Sequence, residues 1–338
     1  MKNLKTVALA ASLATLLTAC GGGGSAGGAG QPAAGAPAST LSVITLNTST
    51  TAAANAYDAA SSLQEAAETS GAFVTGVSVS RPTDGVARIA VDLFQRTAAK
   101  RSTPILTGVE FSEPCEGGGN LAFNTTVKNE DKISSGDRVS LVATNCVIDG
   151  ASLNGRISLA INSLTGEVSS FGAYAVDMSV IFADFMVNDG EEVIGVAGDM
   201  NIAFGQTDSS NNTFGLRGNS LSVSLSRGNA VVARRTLTGY DGLTTTKNGV
   251  SLTGLDYGLY GTSSVLGEAN VEVRTLRPFL RNPGFYPSSG ILIVNGAASS
   301  VTLRVIDSTS VQLDFSERGD GVITSSRVMT WAELETNI

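Results

Sequence analysis

Apolar and polar side chains alternate with a period of two from about Phe111 to the end of the chain, broken at short intervals by Asn-Gly and Asp-Gly. Arg156–Asn162 sets Ile157, Leu159 and Ile161 against Arg156, Ser158 and Ala160, and Ser220–Ser226 alternates Leu221, Val223 and Leu225 with serines. Val301, Leu303 and Val305 lead through Asp307-Ser308-Thr309-Ser310 into Val311, Leu313 and Phe315. Side chains on a strand point to opposite faces in turn, so this pattern describes strands with one face packed and one in water, the habit of antiparallel sheets. Asp149-Gly150, Asp189-Gly190, Asp241-Gly242, Asn248-Gly249, Asn295-Gly296 and Asp320-Gly321 supply the positive φ angles that tight hairpins require.

A dozen or so such strands exceed what one flat open sheet usually holds, so the sheet is expected to curl. The expected fold is mainly β, a large strongly curved antiparallel sheet (half-barrel or barrel-like) with one or two N-terminal helices packed against it. The first helix is expected over 50–69, capped by Thr50 or Thr51 and stopped by Gly71, with Ala53, Ala56, Ala60, Leu63 and Ala67 on one small-residue face. A second is expected from Val86 to about Lys100 behind Asp84, in competition with a strand through Ile89, Val91 and Leu93.

The N-terminus follows a different logic. Lys2 and Lys5 precede an apolar run from Val7 to Leu17, too short to span a bilayer, where a helix needs about 20 apolar residues. The run ends in Leu17-Thr18-Ala19-Cys20, which resembles the lipobox of bacterial lipoproteins. The resemblance implies cleavage before Cys20, a diacylglycerol on its thiol and an acylated amino terminus; Gly21 in place of Asp implies sorting to the outer membrane. A Gly/Ala/Pro mixture reaching Thr40 has the composition of a flexible tether. The expected organisation is a signal peptide at 1–19, a lipid-anchored linker at 20–40, a helical or mixed segment at 41–110 and an antiparallel β region at 111–338.

Composition narrows function. Loss of Lys2 and Lys5 leaves 20 basic against 30 acidic residues, a balance that argues against nucleic acid and against electrostatic attachment to anionic lipid. The chain contains no histidine, which removes Ser-His-Asp and Cys-His catalysis and imidazole-based zinc sites. No GxSxG elbow, Walker loop or HExxH motif occurs either, since the glycine runs, Gly23-Gly24-Ser25-Ala26-Gly27 among them, sit in the tether or beside a cysteine and not between a strand and a helix, so no enzyme activity and no cofactor are expected.

Cys115 and Cys146 are the cysteines left after lipidation, and in an oxidising envelope an isolated pair is most simply a disulfide. A hairpin of strands Leu121–Val127 and Arg138–Cys146 about the turn Lys128–Asp137 brings Cys146 opposite Gly119. Cys115 then lies a few residues further along, past Gly117-Gly118-Gly119.

The architecture looks like the helix-lined half-barrel of some envelope lipoprotein carriers. A closer resemblance is to a loosely defined group of uncharacterised proteobacterial lipoproteins, carried by Cys115-Glu116-Gly117-Gly118, Asp131–Asp137, Asn145-Cys146 and Leu153-Asn154-Gly155. Pro287-Ser288-Ser289-Gly290, Gly319-Asp320-Gly321 and Thr330–Leu334 carry it further. It covers most of the chain after about residue 110 and implies a fold unit, not an activity.

Three site candidates remain. Asp184, Asp189, Glu191, Glu192 and Asp199 form an acidic run that could serve acid/base chemistry, although such runs are more often solvated turns. Asn129-Glu130-Asp131 with Ser134 and Asp137, and the region of Asp314 and Asp320, offer oxygen ligands without calcium-loop spacing, so no metal site is expected. The segment Arg277–Gly290 combines Arg277, Phe279, Arg281, Phe285 and Tyr286 with three prolines, as recognition loops do, or else is a crossover that tucks Phe279 and Phe285 under the sheet. The expected function is non-enzymatic binding or support at the envelope, with the membrane as partner through the anchor and an apolar ligand or an envelope protein as a further partner. A carrier of an apolar ligand or lipid on the concave face is the first alternative, and a carboxylate-based hydrolase the second.

Overall fold

The computed structural model describes residues 40–74 and 109–337 apart from 129–133, 149, 167–172, 189, 209, 229, 264–266 and 284. A long helix, α1 (Leu46–Val74), precedes fourteen strands. The first group is β1 (Val109–Pro114), β2 (Asn120–Thr126), β3 (Arg138–Ile148), β4 (Ala151–Gly166), β5 (Tyr174–Asn188), β6 (Glu192–Asp208) and β7 (Asn211–Arg227). The second is β8 (Ala230–Lys247), β9 (Val250–Ser263), β10 (Gly267–Arg281), β11 (Ser289–Gly296), β12 (Ser299–Val305), β13 (Ser310–Ser316) and β14 (Ser325–Thr330). A short helix, α2 (Trp331–Glu335), ends the described chain. Among the described residues each strand pairs antiparallel with its neighbours in sequence, in the order β1 to β14, and the sheet is not closed.

The alternation read from the sequence sets the inner face. Leu121, Phe123, Leu141, Ile157, Leu159, Ile161, Val176, Met178, Val180 and their successors through Val311 and Leu313 are buried and form one continuous core. Strands β4 to β10 are 14 to 18 residues long, well beyond the usual five or six. Strands of that length bend because a band of bulges crosses them at matching heights. The register breaks between Ala143 and Cys146, Asn154 and Arg156, Phe182 and Phe185, Gly198 and Asn201, and Thr238 and Asp241. A bulge adds one residue to one strand, bends it and raises its twist. Asn145, Asp184 and Gly155 adopt positive φ in this band, and a Cβ on Gly155 would strike the Asp184 backbone. Short polar side chains satisfy the backbone N–H groups that the bulges release. Asn154 accepts from Asn145 N at 2.8 Å, Asp199 from the N–H groups of Asn219 and Ser220 at 3.0 and 3.1 Å, and Asp256 from Thr275 N at 2.8 Å.

Helix α1 lies in the concave side and touches β7, β9, β11, β12, β13 and α2. Ala52, Ala53, Ala54, Ala56 and Ala59 are buried on more than one of its sides, so small side chains let sheet and helix approach closely around it. The Tyr257 hydroxyl donates to the Ala56 carbonyl, and the Arg235 guanidinium pairs with Asp58 and donates to Asn55 Oδ1 at 2.8 Å. The helix begins a turn earlier than expected and runs past Gly71 to Val74. Thr45 and Thr48 exchange side-chain to backbone hydrogen bonds at its start, a reciprocal cap that makes Thr50 and Thr51 part of the helix body. The second expected helix, Val86 to Lys100, lies outside the described residues.

Two turn expectations are corrected. Asp241-Gly242 lies within β8 beside a bulge, and the tight turn after β11 is Ala297-Ala298, one step beyond Asn295-Gly296. The remaining dipeptides place Gly150, Gly190, Asn248-Gly249 and Asp320-Gly321 between strands. Cys115 and Cys146 form a disulfide with Cα atoms 5.4 Å apart. Its hairpin is shifted by one residue from the expected register, since Thr126 rather than Val127 faces Arg138 at the turn and the same offset runs to Asn120 facing Thr144; beyond the bulged Asn145, Gly117 and Gly118 pair with Val147.

Candidate functional site

The strands define two ends of the shell. At the near pole, residues 40–44 join the sheet where the β11–β12 turn and the β13–β14 loop lie. The far pole gathers the β8–β9 turn, the β10–β11 loop, the β12–β13 turn and α2. The segment Arg277–Gly290 is at the far pole. It is less irregular than expected, because β10 continues to Arg281 through two bulges and the true loop is 282–288. The bulges hid the strand: they break the period-two pattern on which a sequence reading depends.

The five candidate residues separate into two layers. Phe279 is buried; its ring faces Tyr57 of α1 at 5.6 Å, and Gly290 leaves the space that the Phe279 ring fills. Arg281 is half-buried and donates from Nε to the Phe285 carbonyl at 3.2 Å, which holds the loop in shape. Phe285, Tyr286 and Arg277 face water, Phe285 with 66% of its surface exposed. The crossover reading therefore holds for Phe279 and fails for Phe285.

Tyr286 is held from two directions. Its ring stacks on Trp331 and its hydroxyl donates to Glu335 at 2.9 Å; burial, followed by that carboxylate, raises the phenol above its ordinary pKa. Trp331 in turn packs on Tyr57 at 4.6 Å and is itself buried, its indole N–H finding no acceptor among the described residues. Thr330 and Glu333 form a capping box that fixes α2, with both Trp331 and Leu334 turned inward. The signal for Trp331 is its being the sole tryptophan, set within a Thr-x-x-Glu box at Thr330–Glu333; Tyr57 carries no such signal.

The outer face beside this corner is apolar in a way the sequence does not display. Leu252 and Leu280 face each other across β9 and β10 on the outer side. Leu243 stands between Gly215 and Gly254 on its two neighbouring strands and is 58% exposed for want of flanking side chains. Leu276 in the β10 bulge is exposed as well, and a side chain on Gly249 would meet Pro283. Lys247 and Arg277 are exposed at the same pole.

The other candidates are used structurally. Asp184 and Asp199 belong to the bulge band, Glu192 pairs with Arg227 at 2.8 Å near the β5–β6 turn, and Asp189 lies outside the described residues. Asp314 accepts from Arg304, Gln312 and Ser326, and Asp320 from Ser316 and Val322. Asn129, Glu130 and Asp131 fall outside the described residues, while Asp137 closes its turn through Lys128 N and Ser134 N. Among the described residues no three of His, Cys, Asp and Glu gather as a metal would require, and no helix is long and apolar enough to cross a membrane. No protein-family model, curated protein or solved structure matches this chain.

Proposed function

We propose that this chain is an envelope lipoprotein, anchored through acyl chains on Cys20 and most simply sorted to the outer membrane, that works by docking a partner protein at its far pole. The observation that carries the reading is the aromatic and arginine corner. Phe285 and Tyr286 are presented to water on a loop that is pinned by Trp331, Glu335 and Arg281, with Arg277 exposed beside them on β10. Aromatic and Arg side chains carry most of the binding free energy at protein interfaces, and a loop held in one shape loses little entropy on association. The exposed Leu243, Leu252 and Leu276 extend the corner into a larger apolar surface of the kind that marks interaction sites.

Burial of the inner face supports docking over carriage of an apolar ligand. A void able to hold an acyl chain would leave accessible area on its walls. Among the described residues the inner side chains of β2 to β13 instead pack into one continuous buried core, and α1 lies in the concavity against β7, β9 and β11 to β13.

Photocrosslinking in intact cells tests the reading, with a photoreactive phenylalanine analogue at Phe285 and, as control, at the exposed Ile181 on the outer face of β5. A discrete protein adduct at Phe285, absent at Ile181 and lost on Arg277→Glu, is expected. Adducts of equal yield at both positions, or none at Phe285, overturn the docking site. The anchor is tested separately by the mass of the mature N-terminal peptide, which should carry acyl chains on Cys20 and lose them in Cys20→Ser.

A further inference from the structure

Tethering by itself leaves the orientation of the shell open. Nineteen residues lie between Cys20 and Thr40, and the twenty steps from one to the other span up to about 70 Å when extended. A strand of 18 residues such as β8 rises about 60 Å, so the tether is as long as the body it carries. A preferred orientation would have to come from a feature of the body itself.

The near pole carries such a feature. The chain arriving from Cys20 is fixed there: Asn270 Nδ2 donates to the Thr40 carbonyl at 3.1 Å, Ser42 N to the Asn270 carbonyl and Ala297 N to the Ser42 carbonyl at 2.8 Å each, and Ile44 N to Ser299 Oγ at 2.8 Å. The β13–β14 loop packs on the same spot, since a Cβ on Gly319 would lie 3.0 Å from Ser299 N. Four aliphatic side chains are left in water around this point: Val43 at 66%, Leu46 at 55%, Val322 at 63% and Ile323 at 54% exposure. The loop holds Val322 and Ile323 out by construction. Asp320 accepts from Val322 N at 3.0 Å on one side, and Thr324 N donates to the Phe315 carbonyl at 2.8 Å on the other. Two neighbouring β-branched aliphatics fixed outward at the point where the anchor chain enters have one natural occupant, the lipid surface in which the anchor sits.

We infer that the near pole is a membrane-contact surface in which Val322 and Ile323, with Val43 and Leu46, insert at the lipid interface and turn the far pole away from the bilayer. This rests on the anchor reading at Cys20. Aliphatic side chains supply the contact without net positive charge, in keeping with the acidic composition of the chain.

The test uses the full lipidated chain, its acylation first verified by mass, reconstituted in vesicles of phosphatidylethanolamine and phosphatidylglycerol. An environment-sensitive fluorophore is placed at Ile323→Cys or, in a second preparation, at Phe285→Cys, with the Cys115–Cys146 disulfide kept oxidised. Nitroxide lipids labelled near the headgroup should quench the probe at 323 several-fold more than the probe at 285, with a blue shift at 323 alone. Equal quenching at both sites, or none at 323 in correctly acylated protein, overturns the contact surface and leaves the anchor standing. A chain that proves unacylated overturns both.

Discussion

The Tyr286 ring lies on the Trp331 indole with centroids 5.3 Å apart and planes 8° from parallel, so a loop between two strands is fastened to a helix more than 40 residues later. Through Trp331 the contact continues to Tyr57 of α1, and through Tyr57 to Phe279 of β10. Four aromatic rings from four separate elements thus tie the far pole to the helix in the concavity.

Replacing Trp331 by Ala removes the centre of that chain, and urea unfolding should show a loss of about 3–5 kcal/mol, the usual cost of a large buried aromatic. Trp331→Phe should cost clearly less. The indole N–H has no acceptor among the described residues, so its loss breaks no hydrogen bond.

Arg235 and Asp58 join β8 to α1 as a partly buried pair, with Asn55 as a second acceptor. Arg235→Met leaves the Asp58 charge half-buried without its partner and should cost about 1–3 kcal/mol in chemical denaturation. Adding Asp58→Asn should recover part of that loss, and a double-mutant cycle with additive losses would show that the pair does not fasten the helix.

The disulfide closes a loop with a sequence separation of 31 residues. Replacing both Cys115 and Cys146 by Ser should lower stability by about 3–4 kcal/mol on the chain-entropy account. The same loss should follow reduction of the native protein, measured by unfolding with and without reductant.

Acid should unfold the protein in a defined window. Hydrogen bonds from Thr309 and Ser310 pull the Asp307 carboxyl down to about 2. Asp314 is lowered too: burial pushes it up, but donors from Gln312, Ser326 and Arg304 outweigh that. Backbone N–H groups of Val322 and Thr330 lower Asp320 and Glu333. A depressed carboxyl contributes stability above its unfolded value, near pH 4, and loses it as pH falls through the folded value. Stability should therefore decline from about pH 4 downward and, with no histidine in the chain, stay level between about pH 5 and 8. Asp307→Asn should flatten the lowest part of the decline.

With the photoreactive analogue kept at position 285, Leu276→Ala and Arg277→Ala touch exposed side chains and should leave unfolding within about 0.5 kcal/mol of the native protein while lowering the yield of crosslinked partner several-fold. Unchanged partner yield in both variants would remove the far pole as the docking surface.

How far the sequence reveals the fold depends on how local each signal is. Alternation in Arg156–Asn162 and in Val301–Val305 marks β4 and β12 because each residue's face is set by its immediate neighbours. Where a bulge intervenes the pattern is broken, which is why Asp241-Gly242 reads as a turn and Arg277–Arg281 as a loop. The start of α1 was misplaced because Thr45, Thr50 and Thr51 are equally good caps in isolation, and contacts at Asn270, Ala297 and Ser299 select the earlier one.

Composition and local pattern alone specify a β-rich chain with a small-residue helix ahead of it, a cysteine pair and an anchor-like N-terminus. Tertiary structure alone decides that Tyr57, Phe279, Tyr286 and Trp331 meet, that Leu243 stands between two glycines, and that Gly319 of the β13–β14 loop lies against Ser299, which accepts from Ile44 N. The reason is physical. The face of a strand is fixed by the geometry of adjacent residues, whereas neighbours across fourteen paired strands depend on every register shift and turn between them.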